Sequence, residues 1–113
     1  MAPELFAGVR VRDFAGALAW WTRLLGEPSM RPHEAEAVWE LAEGGSLYIV
    51  EDERGDGNGL VTQFCEDLDE RVATFADRGL EPDERETYSN GVRKVIYRDP
   101  EGNEIGFGGP PAG

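Results

Sequence analysis

The chain has 113 residues, a length that suits one compact domain with a modest hydrophobic core. Hydrophobic residues make up 40% of it and charged residues 30%, a balance typical of globular rather than disordered proteins. The formal net charge of −12 would repel nucleic acid phosphates and anionic membrane surfaces, so we expect neither as a partner.

Cysteine usage and the apolar runs bear on where the protein works. Cys65 is the only cysteine, which excludes an intrachain disulfide, and its apolar surroundings favour a buried small hydrophobe over a nucleophile. Residues 1–5 lack the charged start and apolar core of a signal peptide. No apolar run approaches the roughly 20 residues that span a bilayer. We therefore expect a soluble, cytoplasmic protein.

The first half of the chain starts with a strand pattern that ends in aspartate and leads into a helix. "LFAGVRVRD" (5–13) precedes "FAGALAWWTRLLG" (14–26), whose apolar residues recur at helical spacing. Asp13 is placed to accept hydrogen bonds from the first helical turn, and Gly26 suits the end of the helix. Three strand patterns follow, at residues 27–33, 37–41 and 46–50.

The second half repeats this order. "GLVTQFCED" (59–67) leads into "LDERVATFADRG" (68–79), with Asp67 as the predicted N-cap and Gly79 after the last turn. Three further strand patterns follow, at residues 81–88, 92–98 and 103–107. Each half therefore reads as one βαβββ module, and the fold class is α+β.

These patterns predict a single domain over residues 1–113. It divides into a first module at about 4–51, a polar, glycine-rich linker at 52–59 and a second module at about 60–108. Residues 109–113 are predicted to form a loose tail.

Two βαβββ modules resemble the vicinal oxygen chelate superfamily, the family of glyoxalases, bleomycin-resistance proteins and extradiol dioxygenases. The resemblance is carried by "VRVRDFAGALAWWTRLLG" (9–26) and "YRDPEGNEIGF" (97–107) and extends over about residues 4–108. It implies a curved mixed sheet formed by both modules around a groove. It also implies little about function, because this fold hosts many activities.

In enzymes of this family, metal ligands come from the first and last strands of each module. The corresponding positions here fall at Phe6, Leu60 and Gly106, and near Tyr48. Phenylalanine, leucine and glycine side chains have no atom that binds a cation, and one tyrosine does not make a metal site. The resemblance therefore implies no metal here, and we predict no other cofactor.

No other constellation of residues replaces the missing ligands. His33, the only histidine, lies in the polar segment "RPHEAE" and is interpreted as a surface residue. Glu34, Glu36 and Glu40 have alternate spacing and could share a strand face, although a solvated edge is the simpler interpretation. The sequence has no phosphate loop, HExxH motif or nucleophile elbow, so no catalytic residue is predicted.

The resemblance implies that the former ligand positions line the groove, now as an apolar surface. Trp39, Phe64 and Tyr97 would add stacking surface if they faced it, and acidic groups such as Glu40 and Glu104 would meet a cationic group. Trp20 and Trp21 are interpreted as core residues. The predicted ligand-binding residues are Phe6, Trp39, Tyr48, Leu60, Phe64, Tyr97, Glu104 and Gly106.

Three functions remain open from the sequence. The leading hypothesis is metal-independent binding or sequestration of a small aromatic, cationic or amphipathic molecule, such as an antibiotic. The second is a lyase or isomerase with an unusual metal site, or a metal-free acid–base catalyst; the third is a structural or regulatory module. A homodimer is expected under each, because the open edges of each module need partners.

Overall fold

The computed structural model describes residues 2–112, which contain two helices and eight strands. The helices are α1 (Phe14–Leu25) and α2 (Leu68–Asp77). The strands of the first half are β1 (Leu5–Val11), β2 (Met30–His33), β3 (Glu36–Ala42) and β4 (Gly45–Glu51). Those of the second half are β5 (Leu60–Phe64), β6 (Glu84–Thr87), β7 (Arg93–Arg98) and β8 (Glu104–Gly109).

The chain forms two compact units, each with one four-stranded sheet. Unit 1 comprises residues 2–59 with Asp99–Asn103, and unit 2 comprises Leu60–Arg98 with residues 104–112. The strand orders, β1-β4-β3-β2 and β5-β8-β7-β6, are the same in both units. In each sheet the first strand is parallel to the last strand of its module, and the other pairs are antiparallel. The predicted α+β fold with two βαβββ modules is confirmed.

In unit 1, α1 packs on one face of its sheet. The Asp13 side chain accepts a hydrogen bond from the Gly16 amide at 3.1 Å, so the predicted N-cap is confirmed. Trp21 is fully buried, and its ring centroid lies 6.4 Å from that of Trp39 in β3. The rest of this core is aliphatic and includes Val9, Val11, Leu24, Leu47 and Ile49.

In unit 2, α2 covers an aromatic cluster. The Phe75 ring centroid lies 5.2 Å from that of Tyr97 and 5.0 Å from that of Phe107. Asp67 is the N-cap residue of α2, as predicted, but the expected side-chain cap is not formed, because its carboxylate makes no cap hydrogen bond and instead pairs with Arg71 at 2.9 Å. An arginine one turn along the helix offers this carboxylate a charged partner in place of the amides.

The turn 99–103 is held by a buried hydrogen-bond network within unit 1. Asp99 accepts hydrogen bonds from the Glu101 and Asn103 amides, both at 2.9 Å, and from the Trp21 indole at 3.0 Å. Asn103 in turn accepts one from the Gly59 amide at 2.8 Å. The motif "DPEGN" therefore ties the first helix and the end of the linker to one turn.

Strand β8 extends beyond its predicted end. It runs to Gly109, the first residue of the predicted loose tail, which pairs with Arg93. A Cβ at Gly109 would lie 2.6 Å from the Leu68 side chain, so only glycine allows α2 to approach this strand so closely.

Candidate functional site

Strand alternation assigns one face of the unit 1 sheet to the side opposite α1. This face carries Phe6 and Gly8 of β1, Val38 and Glu40 of β3, and Tyr48 of β4. Gly8 is paired with Tyr48, and a Cβ on Gly8 would lie 2.4 Å from the tyrosine ring. Phe6 is 49% exposed. Phe6 and Tyr48, predicted from the resemblance, therefore share one face.

The face of the unit 2 sheet opposite α2 carries the corresponding second-module positions. Leu60 and Phe64 of β5 are 69% and 58% exposed on this face. Thr62 lies between them and is paired with Gly106 of β8. The Phe64 ring lies 3.5 Å from the position of a Cβ on Gly108, so the ring rests against the glycine backbone.

Two predicted site residues lie on the other face of their sheets. Trp39 is 2% exposed, contacts Trp21 of α1 and donates its indole hydrogen bond to the Gly26 carbonyl at 2.8 Å. Tyr97 is 1% exposed and packs against Phe75 of α2. The expectation that these rings offer stacking surface on the ligand side is therefore corrected, because both belong to helix–sheet cores.

The two acidic residues predicted to meet a cation differ in their surroundings. Glu104 pairs with Arg98 at 2.9 Å, and Arg98 also bonds Glu84, so the pKa of the guanidinium is raised. Glu104 therefore shares one guanidinium with Glu84, and its role toward a cationic ligand stays a prediction. Within residues 2–112 the exposed Glu40 carboxylate has no such partner.

Unit 1 also contains a charged cavity that the sequence did not reveal. It has a volume of about 520 Å³, and its lining includes Tyr48, Arg10 and five residues of the linker. Asp52 bonds Arg54 at 2.8 Å and Arg10 at 3.1 Å, and these bonds, chiefly from Arg54, hold the pKa of Asp52 well below its usual range. The amide and side chain of Asn58 likewise lower the pKa of Asp56. In the sequence, the alternation of acidic and basic residues in the linker was the only sign of this charged cavity.

The donor atoms of the former ligand positions do not fit a metal ion. In the part of the chain that the structure describes, no three His, Cys, Asp or Glu side chains are grouped to hold one. His33 is exposed and faces Glu36 at 3.0 Å. The Lys94 side chain lies across the space beside Gly106, with its Cε 2.6 Å from the position of a Cβ there, so this flexible side chain would have to move for a larger residue.

The two sheets and their strand order define a protein with the vicinal oxygen chelate fold. The chain matches no protein-family model and no curated protein sequence. It is 53% identical to a glyoxalase/bleomycin resistance protein from Catenulispora acidiphila, over 97% of this chain and 100% of that one, with a TM-score of 0.92. The chain therefore belongs to the glyoxalase/bleomycin resistance protein family.

More distant structures share the fold alone. A lactoylglutathione lyase from Agrobacterium tumefaciens is 17% identical with a TM-score of 0.76, over 96% of this chain and 94% of that one. A bleomycin-binding protein, solved in complex with bleomycin, is 15% identical with a TM-score of 0.76, over 96% and 99%. Among residues 2–112, neither helix has the length and apolar character needed to cross a membrane.

Proposed function

We propose that this protein binds a small aromatic or amphipathic molecule without a metal ion. The observation that carries the proposal is the set of exposed apolar side chains on the sheet faces opposite the helices, namely Phe6, Leu60 and Phe64. Exposed apolar side chains of this size are costly in water, and they are typical of surfaces that receive a ligand.

A cationic group on the ligand would suit unit 1. Glu40 lies on the same face as Phe6 and Tyr48, and its carboxylate is exposed. A cation near it would gain a salt-sensitive attraction, and the tyrosine ring would add stacking or cation–π contacts. As the biological use we propose sequestration of an antibiotic in the cytoplasm, a hypothesis motivated by the bleomycin-binding fold neighbour.

Metal-free bleomycin is the first probe, because one fold neighbour is a bleomycin-binding protein. We expect calorimetry to show binding in buffer containing EDTA. Phe6→Ala should weaken binding several-fold, since stacking on an aromatic ring contributes roughly 0.5–1.5 kcal/mol beyond area burial. Leu5→Ala is the matched control, because Leu5 is 74% exposed on the same strand with its side chain on the opposite face.

The test checks the assigned face and separates metal-free from metal-dependent binding. Equal losses from Phe6→Ala and Leu5→Ala would contradict the assigned face. If a panel of aromatic amines and bleomycin bound only after a divalent metal was added, the metal-free proposal would fail and an enzyme with an atypical metal site would replace it.

We also propose that two copies assemble into a homodimer. β1 and β5 are edge strands of their sheets, each with one strand partner inside its unit. Edge strands with exposed apolar side chains pair readily with another chain. Light scattering should give about twice the chain mass of 12.5 kDa at micromolar concentration, and the mass of a single chain would refute the assembly.

A further inference from the structure

Lys94 is the only lysine of the chain, and its ammonium group is not used by the fold. It is half-buried on β7, on the face opposite α2. Within residues 2–112 its side chain makes no hydrogen bond and no ion pair. The stem accounts for part of this burial, and the ammonium group keeps all of its hydrogen-bond donors available for an anionic group.

A glycine places this ammonium group beside a hydroxyl. A Cβ on Gly106 would lie 2.6 Å from Lys94 Cε, so the lysine stem packs across the glycine backbone. Lys94 Nζ and Thr62 Oγ1 each lie 3.5 Å from that same point. Two hydrogen-bond donors therefore flank one small region of the sheet face, and the Thr62 hydroxyl also lacks a partner in the described chain.

The carboxylates nearest to Lys94 along the sheet have other partners. Glu86 is directly opposite Lys94 on β6, yet it accepts a hydrogen bond from the Tyr88 hydroxyl, which raises the pKa of Tyr88. Glu84 and Glu104 both bond Arg98. Despite the net charge of −12, no acidic side chain of the described residues lies within ion-pair distance of Lys94.

Apolar side chains border the same region. Leu60 and Phe64 flank Thr62 on β5, at positions two residues away on the same face. Phe64 rests on Gly108, whose strand neighbour is Lys94. An ammonium and a hydroxyl beside an exposed aromatic ring match a molecule with one anionic end and one apolar end.

We propose that Lys94 and Thr62 bind the carboxylate of an amphipathic ligand whose apolar part packs against Phe64 and Leu60. This inference rests on the proposed small-molecule binding, because it assigns the chemistry of one end of such a ligand. The ammonium supplies charge-assisted hydrogen bonds to the carboxylate, and the hydroxyl donates another. Lys94 thereby supplies the positive charge that binds the anionic end of the ligand on this face of the unit 2 sheet.

The test compares 4-phenylbutyrate with 4-phenylbutyramide, which differ in charge at one end. Because Lys94 is the only lysine, reductive methylation with ¹³C labels one side chain, whose NMR signal is distinct from that of the terminal amine. We expect phenylbutyrate to shift this signal and to bind about tenfold more tightly than the amide. Lys94→Met, which keeps the stem over Gly106, should abolish the tenfold preference.

Arg85→Met is the matched control, since it removes one positive charge from the other face of the sheet. It should leave the preference unchanged, and circular dichroism should show both variants folded. If the amide bound wild type as tightly as the acid did, the role of Lys94 would be refuted while small-molecule binding stood. If neither compound bound, this inference would fall, and failure of the amines and bleomycin as well would remove the proposed function.

Discussion

Asp99→Ala should destabilise the protein more than any surface substitution. Asp99 is 5% exposed, and its carboxylate accepts four hydrogen bonds, from the Glu101 amide, the Asn103 amide and side chain, and the Trp21 indole. Alanine leaves the fully buried indole N–H without a partner, which costs about 1–3 kcal/mol, and frees the turn. We expect a total loss of roughly 3–5 kcal/mol.

Urea unfolding followed by circular dichroism measures this loss, at one protein concentration for all variants. A loss of this size corresponds to a fall in Tm of roughly 12–20 °C for a chain of this length. Asp99→Asn, which keeps one acceptor oxygen, should lose about half as much. In a Trp21→Phe background Asp99→Ala should cost about 1–3 kcal/mol less, because the orphaned indole is absent. A loss below about 1 kcal/mol in the parent would show that the network does not hold the turn.

Two further substitutions test buried and strained positions. Burial raises the pKa of Tyr97 to about 12, so the neutral phenol stabilises the fold below pH 10 and this contribution is lost as the pH rises toward 12. Tyr97→Phe should leave the free energy of unfolding at pH 7 unchanged or raise it. As the pH rises from 10 to 12, the parent should lose roughly 2 kcal/mol of stability that the variant keeps. Thermal melts from pH 7 to 12 measure this, and a stability difference that stays constant with pH would contradict it. Gly57→Ala should cost more than Gly26→Ala in urea unfolding. Both have positive φ, but only a Cβ at Gly57 would meet a backbone oxygen, that of Glu101, at 2.1 Å, so equal losses would contradict this geometry.

The order of helices and strands was predictable because their periodicities and turn residues agree. The face of the sheet on which each side chain of the central strands β3 and β7 lies was not predictable, because these strands lack the alternation of polar and apolar residues that would identify it. Ala37, Val38 and Trp39 are consecutive and all buried, and the same holds for 95–97. A run that is apolar on both faces gives no sign of which ring meets the helix, so Trp39 and Tyr97 were misplaced.

The charged features of the candidate site were hidden for a different reason. Arg10 and Asp52 are 42 positions apart and meet only after β1 pairs with β4. Lys94 stands out in the sequence as a single lysine, but its importance depends on the space left by Gly106 on another strand. Contacts of this kind follow from strand register, which local patterns do not specify.

The location of the turn 99–103 has a consequence for synthesis of the protein. Unit 1 has all its helices and strands by Glu51, but its buried indole finds its acceptor 78 positions later in the chain, at Asp99. During translation the first module would leave the ribosome with this donor unsatisfied and would wait several seconds for residues 99–103. A gene that is cut between residues 59 and 60 would therefore encode a first module that has its own hydrophobic core but lacks Asp99, the acceptor of its buried indole hydrogen bond.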